Sequence, residues 1–135
     1  MQITWFGHSA FRLDFAGRAV LIDPFFTGNP SFVSEKSAAI KGVSHIVLTH
    51  GHGDHYGGVN YLTDKYPARV LMSGIDWDTV VAGELEFDFP NWGRPPKQGE
   101  SVCDGDIVSL GSTDVMILLT PGHTRGTISL AVRSA

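Results

Sequence analysis

The sequence predicts a layered domain of mixed α/β or α+β class, and three observations predict it. Short β-branched and aromatic runs open the chain, strand-like and helix-like segments alternate through its middle, and three more strand-like runs close it. No internal repeat, low-complexity tract or linker interrupts this order, so residues 1–135 are read as one domain. A chain of 135 residues, 42% apolar and 18% charged, has the composition of a globular domain and not of a disordered one.

Taken in order, "QITWF", "AFRLDF" and "AVLID" read as a meander of strands broken at Gly7 and at "AGR", 16–18. "PFFTGNPSF", 24–32, carries two prolines, a glycine and an asparagine, and reads as a loop. "SHIVLT", 44–49, is a nearly continuous apolar run that suits a buried strand. From Gly57, the apolar positions Val59, Leu62 and Tyr66 recur at helical spacing until Pro67 stops them. "ARVLMS", 68–73, reads as another strand, and "DWDTVVAG", 76–83, as a short helix capped by Asp76 and ended by Gly83. The segment 87–101, with three prolines and two glycines, lacks periodicity and is expected to be an extended surface loop. "DIVSLG", "DVMILLTPG" and "TISLAV" are the closing strands, with "GSTD", 111–114, turning between the first two.

Composition also narrows the partners. The net charge of −4 comes without a run of lysines or arginines, so nucleic acid is not favoured. Cys103 is the single cysteine, which excludes an intramolecular disulfide or a cysteine-built metal site. No apolar stretch approaches the ~18 residues of a membrane span, and the N-terminus lacks the pattern of a secretory leader; a cytoplasmic protein without membrane contact is expected.

The chemistry concentrates in "LTHGHGDHYGG", 48–58, where three of the six histidines and an aspartate fall within His50 to His55. His50 and His52 are two apart, so in extended chain both leave on one face and can share a metal. Asp54 repeats the spacing and His55 breaks it, as a chain curling into a helix would. Gly51 and Gly53 keep the loop uncrowded. A polar surface loop would explain one such histidine, but poorly explains three with an aspartate between a buried strand and a helix.

"THGHGDH", 49–55, resembles the H-x-H-x-D-H signature of the metallo-β-lactamase superfamily, and "TPGHT", 120–124, is similar to that superfamily's next motif. The resemblance implies a four-layer αββα sandwich. It implies that His50, His52 and His123 hold a first metal, with Asp54 and His55 forming part of a second. Zn2+ is the expected cofactor, one or two per site, with Mn2+ or Fe2+ as alternatives. The first half, to Gly58, looks like small metal-dependent hydrolases related to the ascorbate-lactonase group. From "KYPARVLMSGIDWDTVV" onward the chain is closer to subclass B3 metallo-β-lactamases, a mixture that a chimera would explain. Superfamily members continue for another half-chain, which supplies a bridging aspartate and a last histidine. Residues 124–135 contain neither a histidine nor an acidic residue. The chain is therefore read as the N-terminal half of the sandwich, and a homodimer is expected to cover its open edge and apolar surface.

Other residues are weighed against their ordinary roles. Asp23 before Pro24 is either a turn carboxylate or, by the resemblance, a group beside the metal loop that orients a ligand imidazole or the backbone. His8, in a "GHS" that the first half's relatives share, is either a turn histidine or a contact at the site opening. Arg125 is the candidate anion contact next to "PGHT". His45 is read as structural. Phe25, Phe26 and Trp92 are expected at the surface or in a cleft, whereas Trp5 and Trp77 follow the usual fate of aromatics in the core. Ser9 and Cys103 lack a neighbouring base and suggest no nucleophile.

The function expected from these residues is a zinc-dependent hydrolase. Metal-acidified water would attack an ester, lactone or β-lactam of small-molecule size, with Asp54 as the proton acceptor. A phosphodiesterase on the same centre is one alternative. A non-catalytic zinc-binding or assembly module is the other.

Overall fold

The computed structural model describes residues 1–15, 17–83, 93–97 and 99–133. Six strands form one sheet in sequence order: β1 (Gln2–Trp5), β2 (Phe11–Phe15), β3 (Arg18–Ile22), β4 (Val43–Val47), β5 (Arg69–Ser73) and β6 (Glu100–Val102). The first three are antiparallel neighbours, the meander expected from the sequence. From β3 to β6 the pairing is parallel, so these strands deliver their C-terminal ends to one edge. A second, antiparallel sheet contains β7 (Ile107–Leu110), β8 (Thr113–Leu119) and β9 (Ile128–Arg133).

Among the described residues, four helices lie between the strands of the first sheet: α1 (Lys36–Ile40), α2 (Gly53–Tyr56), α3 (Val59–Lys65) and α4 (Gly74–Val81). Strand periodicity decides what each layer buries. Along β4 and just past it, Ile46 and Leu48 join a core with Leu21, Met72, Leu62, Val59 and Trp77, on the helix side. Val47, between them, faces the second sheet with Leu71, Leu110, Val115 and Ile117. That two-sided burial is why "IVL" reads as a continuous apolar run and not as an alternation. Helix, sheet and sheet make three layers of the expected sandwich. The outward face of the second sheet carries Ile107, Met116 and Leu118, which are 50%, 39% and 37% exposed.

Several expectations need correction. The loop predicted to run to residue 101 ends earlier, because Glu100–Val102 pairs with β5 as β6; residues 84–92 and 98, Trp92 included, lie outside the described residues. Helix α1 has no counterpart in the sequence reading, since five residues are too short to show a periodic face. Asp76 does not cap α4. Ser73 is the cap, its Oγ accepting from the Asp76 backbone N–H at 3.2 Å. Phe25 and Phe26 are buried at 4% and 3% exposure: the loop folds back on itself, and Phe26 stacks on Phe32 at 4.1 Å. Trp5, expected inside, is 63% exposed, while Trp77 is buried. Among the described residues no helix is long and apolar enough to cross a membrane.

Candidate metal centre

The centre sits where the parallel strands end, the usual place for ligands in such sheets. Asp23 follows β3, Thr49 to His55 follow β4, and Gly74 to Asp76 follow Ser73 at the end of β5. His123 comes from the loop between β8 and β9 of the other sheet. The two sheets are tied at this point by the Ile128 N–H donating to the Thr49 carbonyl at 2.9 Å.

His50 Nε2 lies 3.1 Å from His52 Nδ1, which lies 3.1 Å from His123 Nε2. A neutral imidazole has one N–H, and His50 spends its own elsewhere. The Thr49 hydroxyl donates to Asp23 Oδ2 at 2.7 Å, so its oxygen accepts from His50 Nδ1–H at 3.1 Å. This relay leaves His50 Nε2 as an acceptor that faces His52 Nδ1. The 3.1 Å spacings suit a cation: nitrogens ~2.0 to 2.1 Å from a tetrahedral ion stand about 3.3 Å from one another. The residues therefore fit a divalent metal.

Burial, reinforced by the neighbouring imidazoles of His55, His52 and His123, lowers His50 to about 3. Burial and His123 also lower His52. Both rings are thus held in the neutral form that a metal requires. In the metal-free protein, His50 binds a proton more readily when unfolded, at its ordinary 6.5, than when folded. Its stabilising contribution is complete above pH 6.5 and declines as pH falls toward 3, by at most about 1.4 kcal/mol per unit. Thermal melts in chelator across this range are expected to show the decline, and His50→Gln is expected to flatten it.

His8, Asp54 and His55 form a second group whose candidate ligand atoms lie within 4.8 Å of one another. His8 Nε2 is 2.8 Å from Asp54 Oδ2, and His55 Nε2 is 3.9 Å from Asp54 Oδ1. His55 Nδ1 approaches Asp23 Oδ2 at 3.0 Å, too poorly aligned to count as a hydrogen bond. Asp23 thus sits behind both groups, also accepting the Thr49 N–H at 2.7 Å. Asp23 and His8 hold left-handed backbone, with φ of 45° and 52°, a costly conformation for residues with side chains and one that clusters at functional sites.

The structure places the sequence-predicted residues as follows. His50, His52 and His123 meet; Asp54, His55 and His8 meet beside them; Asp23 lies behind the loop. Arg125 is exposed on a cleft of about 450 Å³ that His123, Thr124 and Asp76 also line. His45 packs away from the centre, its ring between Ser44 and Arg69. Two residues were missed as parts of the site, Thr49 and Asp76. The signal for Asp76 was Ser73 three positions earlier, the residue spacing of a capped helix start, which leaves the aspartate side chain available for another use.

A family model described as the metallo-beta-lactamase superfamily matches residues 3–135. The chain belongs to the metallo-β-lactamase superfamily. A UPF0173 metal-dependent hydrolase of Xanthobacter autotrophicus is 74% identical over 116 residues, covering 84% of this chain and 48% of that protein. Another, from Sinorhizobium medicae, is 39% identical over 136 residues and covers 100% of this chain, both of its halves, and 45% of its own length. The chain spans about half the length of the curated relatives it matches. Among solved structures, the Rm3 metallo-beta-lactamase superimposes with a TM-score of 0.75 at 28% identity, over 96% of this chain and 52% of that one. The subclass B3 enzyme BJP-1 of Bradyrhizobium japonicum gives 0.75 at 19% identity, over 98% and 56%, a likeness of fold alone.

Proposed function

We propose that this superfamily chain carries the zinc-binding part of a hydrolase that cleaves an ester, lactone or β-lactam. The observation that carries the reading is the convergence of His50, His52 and His123 nitrogens at 3.1 Å from two separate sheets. An all-imidazole donor set favours zinc over magnesium or calcium, which prefer oxygen. When bound, the ion supplies Lewis acidity and an acidified water. The names of the relatives, metal-dependent hydrolases, support the same class.

The chain's own residues have distinct tasks in this reading. Thr49 and Asp23 keep His50 in the Nδ1–H tautomer. His8, donating to Asp54 Oδ2, leaves Oδ1 as the oxygen that takes the proton from the attacking water. His55 stands beside Asp54 and offers its Nε2 to a second cation. Arg125 on the cleft would contact an anionic group of the substrate, which keeps a phosphodiester as the second reading.

Zinc analysis of the 135-residue chain and turnover of a chromogenic cephalosporin, a lactone and a bis-nitrophenyl phosphate ester test the proposal. Exhaustive chelation is expected to abolish turnover, and zinc to restore it. Turnover that survives chelation would reject the metal mechanism. Bound zinc with no turnover of any of the three would favour a non-catalytic zinc module.

A further inference from the structure

Asp76 is 1% exposed, and no ion pair joins it to a cationic side chain among the described residues. A carboxylate in that position is costly unless donors replace its water. Three donors do. Oδ2 accepts the Gly51 N–H at 2.9 Å and the Thr124 hydroxyl at 2.8 Å, and Oδ1 accepts the Gly126 N–H at 2.9 Å.

The origin of these donors is the informative part. Gly51 lies between the ligands His50 and His52, whereas Thr124 directly follows His123 and Gly126 closes the same loop. One buried side chain therefore binds both metal-bearing loops, which belong to different sheets and stand more than 70 residues apart in sequence. The surroundings are shaped for this. Ser73 caps α4, so Asp76 is released from the helix end and turns toward the loops. A Cβ on Gly126 would overlap Ser73 Oγ and Asp76 Oδ1, so only glycine lets that amide reach the carboxylate. Gly51 and Gly126 are both buried, and without Asp76 their N–H groups would lose these partners.

We infer that Asp76 is a positioning residue that fixes the distance between His52 and His123, and thereby the geometry and affinity of the metal site. It rests on the assignment of His50, His52 and His123 as ligands and adds a determinant outside that set. Asn in its place keeps the shape but sets an amide N–H against a backbone N–H, so one loop loses its tether. Zinc affinity is expected to fall 10- to 100-fold, as for other groups that hold metal ligands in place.

Two variants test this in the 135-residue chain: Asp76→Asn, and Thr124→Val, which removes one of the three bonds. Zinc affinity by competition with a chelating dye and the visible absorption of the cobalt form are read alongside the melting of the metal-free protein. Asp76→Asn is expected to weaken zinc 10- to 100-fold and to shift the cobalt bands. Thr124→Val should do so by a smaller factor. Should Asp76→Asn fail to fold, Thr124→Val carries the test. Unchanged zinc affinity and unchanged cobalt bands in the folded aspartate or threonine variant would overturn the inference. His123→Ala separates the two layers of the argument: if it binds zinc as the wild type does, the ligand assignment itself fails, and if it loses zinc while Asp76→Asn keeps it, only the role of Asp76 fails.

Discussion

If the proposed zinc site is correct, His123→Ala is expected to lower zinc affinity by a factor on the order of 10² to 10³ and to remove with it any turnover that the proposed hydrolase shows. The magnitude follows from the ~10 to 16 kcal/mol that a four-ligand structural zinc supplies, on the order of 3 kcal/mol for each ligand. His123 is the candidate ligand for which a substitute is hardest to find. His50 and His52 lie on one loop and face each other, but their nitrogens define only an edge. The third nitrogen, from the β8–β9 loop, turns that edge into a face on which a cation can sit. The side chain is exposed, so its removal should leave the metal-free protein's melting nearly unchanged. Affinity and stability are thus expected to separate. A variant that melts normally and still binds one zinc at wild-type affinity would show that His123 is no ligand.

Gly58→Ala is expected to destabilise the fold by about 3 kcal/mol, at the upper end of the cost of forcing a methyl group into a packed interior, and to lower the melting temperature by about 10 °C. Backbone conformation is not the obstacle, since φ of −111° is open to alanine. Space is. A Cβ there would stand 2.5 Å from the Pro24 carbonyl oxygen and 3.2 Å from Phe26 Cβ, and a backbone oxygen cannot swing away. The loop that would have to move is the one in which Asp23 holds Thr49 and approaches His55, so zinc affinity should fall as well. Gly74→Ala is the control. Its Cβ would meet Ser101 at an ordinary 3.6 Å inside a helix, and it should be neutral or stabilising by up to about 1 kcal/mol. Equal melting of the two variants would refute the packing argument.

The strands and the motif were legible because they are written in local pattern. The meander β1 to β3, the buried strand β4 and the closing strands follow from runs of apolar and β-branched residues. His50, His52, Asp54 and His55 stood out because their spacing carries the chemistry. What stayed illegible depends on contacts distant in sequence. Strand β6 exists because β5 offers it a partner. Phe25 and Phe26 have the turn-rich neighbourhood of an exposed loop, yet are buried once that loop folds back, Phe25 against His8 and Phe26 against Phe6 and Phe32. Trp5, on edge strand β1, keeps most of its surface in solvent.

By itself, the sequence determined the class of fold, the superfamily motif and the chemical types of the candidate ligands, since each is a matter of residue identity at short spacing. Tertiary structure alone decided that His123 meets His50 and His52, that Thr49 lies between Asp23 and His50, and that Asp76 accepts hydrogen bonds from both loops. The physical reason is direction. A coordinating nitrogen or a buried carboxylate acts only along its lone pairs, and where those point is fixed by the packing of two sheets and a helix, not by neighbours in the chain.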